Sequence, residues 1–154
     1  MYDRILVPTD GSDISAAAEK AAIAFARAHG SEIVALAVGQ PQSPIASAEA
    51  AMAIDPGLDD EVLLAAANER ARRVADACAA AGVTCTPLAL LDYTPAEAIV
   101  ATADSQGCDL IFMGSHGRRG LSRLIAGSVT EKVLADANVP VLVMRPQPKA
   151  HARG

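Results

Sequence analysis

Short apolar segments recur along this chain, separated by longer amphipathic ones. The first, residues 4–8, has no polar alternation and stops at Pro8, which predicts a strand buried on both faces. Segments of the same kind follow at Ile33–Val38, Val83–Leu91, Leu110–Met113 and Val141–Met144. The pattern therefore predicts five strands. Pro87 lacks an N–H, so we expect the third strand at an edge of its sheet.

The segments between the strands have helical periodicity and recognisable ends. Ser12 is the predicted N-cap of the first helix, which ends at His29-Gly30. Its apolar positions are Ile14, Ala18, Ala21, Ala22, Phe25 and Ala28. An alanine-rich second helix is predicted over residues 58–81, after an irregular connection at 39–57.

Two capping boxes predict where the last two helices begin. In Thr94-Pro95-Ala96-Glu97, the threonine is expected to cap a helix that runs through Gln106, and the glutamate to close the box. Ser128-Val129-Thr130-Glu131 repeats the pattern at the fourth helix. The apolar positions expected in that helix are Val129, Val133, Leu134 and Ala137.

Strands that alternate with helices, and that are apolar on both faces, indicate a parallel sheet covered by right-handed crossovers. We therefore predict a single-domain α/β fold, a doubly wound, Rossmann-like sheet of five parallel strands in the order 3-2-1-4-5, with helices on both faces. The domain is expected to span residues 1–146, with a flexible tail at 147–154. Ligands of such sheets bind beyond the carboxyl ends of the strands, which points to the loops after strands one and four.

Composition narrows the classes of partner. The 154 residues are 51% hydrophobic and 20% charged, which suits one globular core. The net charge of −5 presents no positive field to a nucleic acid, and no apolar run is long enough to cross a bilayer. Three cysteines without Cys-x-x-Cys spacing argue against a disulfide framework or a zinc site. We expect a cytoplasmic protein that binds neither nucleic acid nor membrane.

Two glycine clusters mark the expected ligand site. The first is Gly114-Ser115-His116-Gly117 after the fourth strand, and the second is Gly127-Ser128 before the last helix. Glycine lets the backbone turn sharply and approach a ligand, and the N–H groups at a helix N-terminus bind anions. Phosphate is the anion that suits this arrangement, although a tight turn without a ligand is the competing interpretation.

The stretch from Met113 to Val129 resembles the ATP-binding motif of the universal stress protein family, in which glycine, two residues, glycine, nine residues and glycine-serine follow one another. The opening segment Ile5–Asp10 and the segment Val139–Val143 are also similar to that family. The resemblance implies a regulator of stress adaptation that binds ATP, or another adenine nucleotide, with Mg²⁺. It also implies a homodimer joined through Val141–Met144.

By the same resemblance, adenine and ribose lie against Pro8, Thr9, Asp10, Val38, Met113 and Gly114, and the phosphates against Gly117, Gly127, Ser128 and Val129. Asp10 would repel a phosphate unless it meets ribose hydroxyls or Mg²⁺, so we favour that contact over a simple helix cap. The Ser128 hydroxyl can either cap its helix or turn toward a phosphate. Arg118, clustered with Arg119 and Arg123, is a candidate phosphate contact, although exposed loop arginines are commonly just solvated.

Three other functions compete with this interpretation. A hydrolase or kinase needs a placed base and a firmly held metal, and the sequence shows neither clearly, which leaves slow ATP hydrolysis as the alternative. A phosphoacceptor domain would use Asp10, Asp13 and Asp92, but no lysine follows the fifth strand before Lys149. An interaction protein of the same fold that binds no nucleotide would leave the glycine spacing unexplained.

Overall fold

A computed structural model describes residues 1–41, 56–115 and 127–145 of the chain. Strands and helices alternate in it from end to end. In chain order they are β1 Arg4–Thr9, α1 Asp13–His29, β2 Glu32–Gly39, α2 Pro56–Ala80, β3 Cys85–Leu91, α3 Pro95–Ser105, β4 Leu110–Gly114, α4 Ser128–Asp136 and β5 Val141–Met144. Among the described residues, no helix is long and apolar enough to cross a membrane.

The five strands form one parallel sheet in the order β3-β2-β1-β4-β5, which confirms the predicted topology. Successive residues of β1 enter opposite faces: Ile5 and Val7 pack with α1 and α2, whereas Leu6 packs with α3 and α4. All three side chains are fully buried. Burial on both faces explains why the strands show no polar alternation. Pro87 is exposed on β3, an edge strand, as predicted.

The first helix has the predicted ends and most of the predicted buried face. The Ser12 hydroxyl caps it by accepting from the N–H of Ser15 at 3.2 Å, and Gly30 ends it in the left-handed region with φ 71°. The buried positions of α1 are Ser15, Ala18, Ala22 and Ala26. The expected contribution of Ala28 is wrong, because that residue lies off this stripe and is exposed.

Both predicted capping boxes are wrong in detail. The Thr94 side chain makes no capping bond, and the N–H of Thr94 donates instead to Oδ1 of Asp92 at 2.7 Å. In α4 the cap is Gly127, and Ser128 is the first helical residue. An aspartate two residues upstream competes effectively for the same N–H, since Asp side chains form such local turns readily.

The predicted apolar face of α4 is also partly wrong. Val133 is fully buried as expected, but Leu134 is half exposed, and Ala137 lies beyond the helix as its C-cap. Thr130 takes the remaining buried place, because it lies one turn before the buried valine on the same side of the helix.

Several element ends differ from the prediction by a few residues. The strand β2 extends to Gly39 and α2 begins at Pro56, so both ends of the predicted irregular connection are regular structure. The strand β4 continues through Gly114, which places that glycine in the sheet instead of in a loop. The middle of the connection and the predicted tail at 147–154 lie outside the described residues.

Candidate functional site

The backbone ladder between the neighbouring strands β1 and β4 is short. Their ladder pairs Ile5 with Leu110 and Leu6 with Ile111 and extends no further in the described structure. On its other side β1 stays paired with β2 from Arg4 through Thr9. The strand order reverses between β1 and β4, which is where ligands bind in doubly wound sheets. We call the boundary between β1 and β4 the open seam, and the boundary between β1 and β2 the closed seam.

A tight turn joins β1 to α1 beside the open seam. Gly11 has φ 78°, which side chains other than glycine rarely adopt. Oδ1 of Asp10 accepts from the N–H of Ser12 at 2.9 Å, so Asp10 stabilises the turn and does not itself cap α1. The Asp10 side chain is exposed at the carboxyl end of β1.

The carboxylate of Glu19 supports this turn through the hydroxyls of Thr9 and Ser15. Oε1 of Glu19 accepts from the hydroxyls of Thr9 and Ser15, the latter at 2.8 Å. Those hydroxyls in turn accept from the turn's backbone: Ser15 from the N–H of Asp10 at 3.4 Å, and Thr9 from the N–H of Gly11 at 3.3 Å. Because both hydroxyl protons point to the carboxylate, their lone pairs face the turn and fix its amides.

Sequence reasoning missed Glu19. The available signal was a glutamate four residues after a serine, within an alanine-rich helix that starts at the expected site. Residues four apart share one helix face. Glu19 is only partly exposed, and Ser15 is 3% exposed, so the pair faces inward.

On the other side of the open seam, Gly114 ends β4 against the start of α1. A Cβ added to Gly114 would lie 2.9 Å from Cγ2 and 3.0 Å from the carbonyl oxygen of Ile14. The expectation that Gly114 lets the chain turn is therefore wrong, because it is extended backbone whose missing side chain makes room for Ile14. Met113, next to it, is buried, and Ser115 donates its N–H to the carbonyl of Met144 at 2.9 Å.

The N-terminus of α4 follows Gly127, whose carbonyl accepts from the N–H of Glu131 at 3.0 Å. The preceding N–H groups of the first turn have no partner within a helix of this kind. No side chain caps Gly127 within the part of the chain that the structure describes. The Thr130 hydroxyl is buried in this turn without a hydrogen-bond partner among the described residues. The first turn of α4 thus has donors suited to an anion.

A second unpredicted residue contacts the turn from α2. The side chain of Arg70 covers Gly11, since a Cβ there would lie 3.1 Å from Cδ of Arg70. Nε of Arg70 is buried without a hydrogen-bond partner among the described residues. Glu19 therefore supports the turn between β1 and α1 through the hydroxyls of Thr9 and Ser15, and the aliphatic part of the Arg70 side chain covers it.

The sheet brings most of the predicted site residues to one edge. Those on described elements are Pro8, Thr9, Asp10, Val38, Met113, Gly114, Gly127, Ser128 and Val129. Gly117 and Arg118, with the neighbouring Arg119 and Arg123, lie outside the described residues. Over residues 1–41, 56–115 and 127–145, no group of three or more His, Cys, Asp or Glu residues could hold a metal ion.

Comparison with known proteins agrees with this architecture. The model of the Universal stress protein family matches residues 1–145. A universal stress protein of Methanocaldococcus jannaschii, MJ0531, is 36% identical over 145 residues, which cover 94% of this chain and 83% of the relative. One from Thermus aquaticus is 35% identical over 146 residues, 94% of this chain and 100% of the relative.

Solved structures resemble the chain over nearly its whole length. The structure of MJ0577, from Methanocaldococcus jannaschii, aligns with a TM-score of 0.77 and 32% identity, over 96% of this chain and 99% of the other. A universal stress protein in complex with cAMP aligns with a TM-score of 0.66 and 25% identity, over 95% of this chain and 98% of the other.

Proposed function

The chain belongs to the universal stress protein family, and on that premise we propose that it binds ATP, or another adenine nucleotide, with Mg²⁺ and acts as a nucleotide-dependent regulator. The observation that carries the proposal is the open seam, where the strand order reverses and the ladder between β1 and β4 ends at Leu6 and Ile111. A related universal stress protein has been solved with cAMP, which supports an adenine nucleotide as the ligand class.

The nucleoside would occupy the ends of the central strands. Pro8, Thr9 and Asp10 at β1, Val38 at β2, and Met113 with Gly114 at β4 would line its adenine and ribose. The exposed Asp10 carboxylate suits a ribose hydroxyl or a nucleotide-bound Mg²⁺, because it would repel a bare phosphate. The network below it favours this role, since Glu19 holds the amide of Gly11 through Thr9 and so fixes the turn.

The phosphates would lie on the N-terminal side of α4. Its first-turn amides are aligned with the positive end of the helix dipole, which stabilises an anion. Gly127, Ser128 and Val129 would contribute this surface, with Gly117 and Arg118 as the predicted contacts from the preceding loop.

We infer a binding protein and not a dedicated catalyst. Turnover of ATP needs a base or a group that orients water beside the phosphates. Of the described carboxylates near the turn, Glu19 is engaged by two hydroxyls and Asp10 by the N–H of Ser12. Slow ATP hydrolysis is the alternative, and an interaction protein that binds no nucleotide is the second. The proposal places the protein in the cytoplasm, where ATP is available.

We also propose a homodimer through β5. The two edges of the sheet differ: β3 carries Pro87, which cannot donate to a further strand, whereas β5 has no proline. Leu142 on β5 is 37% exposed although it lies in a strand, so its apolar side chain is left for a partner to cover. Pairing of two β5 strands would satisfy both the open backbone edge and this side chain.

Calorimetric titration of the full chain with ATP and Mg²⁺ tests the proposed ligand. We expect saturable binding to the wild type and a raised melting temperature, because a ligand of the native state stabilises it. The variant Gly117→Val/Gly127→Val should lose binding, since branched side chains would cover the amides. Arg73→Ala, on the exposed side of α2, is the matched control and should bind as the wild type does.

Phosphate release in the same samples separates the alternatives. Binding without release supports the regulator, and binding with slow release supports the hydrolase. A wild-type chain that binds no adenine nucleotide, or a double variant that binds as tightly as the wild type, would refute the site proposed here.

A further inference from the structure

Two of the three cysteines contact each other at the edge of the sheet opposite the candidate site. Cys78 lies in the last turns of α2 and Cys85 is the first residue of β3. The two thiols are close enough for each to be the largest cause of the shift in the other's pKa. Both side chains belong to the apolar cluster between α2 and the sheet.

The turn between them fixes this contact. Gly82 adopts φ 74°, and the carbonyl of Cys78 accepts from the N–H of Val83 at 2.9 Å, so the chain reverses directly after α2. Cys85 then enters the sheet beside Ile33. Only six residues separate the cysteines, so little chain entropy opposes a covalent link between them.

We propose that Cys78 and Cys85 are a modification site, at which a hydroperoxide forms a reversible disulfide within the chain. Cys85 is the attacking residue, because its side chain is partly exposed and can meet a hydroperoxide from solvent. Cys78, which is fully buried beside it, is the resolving residue. This proposal does not depend on nucleotide binding.

The thiol environments support this division of roles. The hydrogen bond from Cys78 lowers the pKa of Cys85, and the backbone N–H of Ala35 lowers it further, although burial opposes both. The same bond, together with burial, raises the pKa of Cys78. Burial raises the pKa of Cys108, the third cysteine, to about 11. Thiolates are the reacting form, so Cys85 is the most reactive of the three.

The chemistry balances in two steps. The Cys85 thiolate attacks one oxygen of the hydroperoxide, the O–O bond breaks, and the leaving oxygen departs as water or an alcohol after taking a proton. The Cys85 sulfenic acid is then attacked by the Cys78 sulfur, which loses its proton, and the S–O bond breaks to release water. Two thiols are oxidised, the hydroperoxide is reduced, and a dithiol reductant reverses the change.

Treatment of the full chain with hydrogen peroxide, followed by alkylation and cleavage before aspartate, tests the proposal. Cleavage at Asp76, Asp92, Asp104 and Asp109 leaves Cys78 and Cys85 together in peptide 76–91 and Cys108 alone in peptide 104–108. We expect peptide 76–91 to lose two hydrogens and to resist alkylation until it is reduced. Peptide 104–108 should remain an alkylatable thiol.

Single variants assign the two roles. Cys78→Ala should stop at the Cys85 sulfenic acid, which dimedone traps, and Cys85→Ser should leave Cys78 reduced. Cys108→Ser is the control and should form the disulfide at the wild-type rate. Two alkylated thiols in peptide 76–91 after peroxide, oxidation of Cys108 as fast as Cys85, or a disulfide that joins two chains would each overturn the proposal, and none of these results depends on ATP binding.

Discussion

The central strand β1 meets its two neighbours in different ways. At the closed seam it pairs with β2 along its whole length, from Arg4 opposite Glu32 to Thr9 opposite Ala37. At the open seam it pairs with β4 only at Ile5 and Leu6. The helices α1 and α4, which follow β1 and β4, pack on opposite faces of the sheet, as expected where the strand order reverses. The closed seam is paired throughout, and the open seam is where we propose that the ligand binds.

The two strands that flank β1 each end in a glycine, Gly39 in β2 and Gly114 in β4, and these glycines have different neighbours. A Cβ on Gly39 would lie 2.6 Å from Cδ2 of Leu91, the tip of a flexible side chain, and 3.3 Å from the carbonyl oxygen of Leu63. A Cβ on Gly114 would lie 3.0 Å from a carbonyl oxygen in the first turn of α1. The side chain can move aside, whereas the helix must move as a unit.

We expect the largest effect from Gly114→Ala. The new methyl group should push α1 away from β4 and lower the free energy of unfolding by about 3 kcal/mol, at the upper end of the usual range for overpacking. The affinity for ATP should fall roughly tenfold, which is about 1.4 kcal/mol, because the turn before α1 moves with the helix. Urea denaturation and calorimetric titration measure the two quantities.

Gly39→Ala is the matched control for that variant. Leu91 can change its rotamer, so we expect a loss of only about 1 kcal/mol and an unchanged affinity. If the two alanines cost the same stability and the same affinity, the distinction between a rigid open seam and an adaptable closed seam is wrong.

Glu19→Ala should have the next largest effect. It removes the acceptor of the Thr9 and Ser15 hydroxyls, which are nearly buried, and should cost about 2 kcal/mol of stability. The ATP affinity should fall several-fold because the amides of the turn lose their support. Glu19→Gln keeps an acceptor oxygen and should restore more than half of both losses.

A surface variant separates this role from a general loss of charge. Glu69→Ala removes a carboxylate that only pairs with Arg73 on the exposed face of α2. We expect it to change stability by less than about 0.5 kcal/mol and to leave the affinity unchanged. If Glu19→Gln binds ATP as poorly as Glu19→Ala, the carboxylate does not act by positioning the hydroxyls.

Asp109→Ala tests the amino end of the open seam, where β1 and β4 are paired, and should have a smaller effect. The Asp109 carboxylate accepts from the N–H groups of Asp3 at 2.9 Å and Arg4 at 3.1 Å, which joins β4 to β1 at their amino ends. Water can replace the first of these bonds, so we expect a loss of about 1 kcal/mol in urea denaturation. The ATP affinity should not change. An affinity loss as large as that of Glu19→Ala would show that the two ends of the seam are coupled.

The sequence predicted the sheet correctly because its strands are buried on both faces and separated by periodic helices. It failed at the caps, where Asp92 accepts from the N–H of Thr94 that Glu97 was expected to bind in a capping box, and where Gly127, not Ser128, is the N-cap of α4. Such outcomes depend on competing local hydrogen bonds of similar free energy. The contact of Gly114 with Ile14 was not predictable, because it depends on how α1 packs across two strands.

In the candidate site, too, some features were predictable from the sequence and others were not. The positions after β1 and β4 followed from topology alone, since the strand order determines which ends meet. The residues that support those positions could not be predicted from topology. Glu19 lies ten residues from Thr9 and Arg70 lies on another helix, so both contacts require the folded chain. Motif spacing predicts where a ligand would approach, and packing decides which residues hold the turn between β1 and α1 in place.

Leu142→Lys should have the smallest effect on the chain itself and a decisive one on assembly. Leu142 lies on β5, an edge strand of the sheet, and its side chain is exposed. A lysine there can therefore reach solvent and should change monomer stability by less than about 0.5 kcal/mol. In the proposed dimer two such charges would meet at one interface and lose their hydration, so sedimentation should show a monomer. Val62→Lys, on an exposed apolar residue of α2, is the control and should remain dimeric. If the Leu142 variant also stays dimeric, β5 is not the dimer contact, and the dimer forms through another surface.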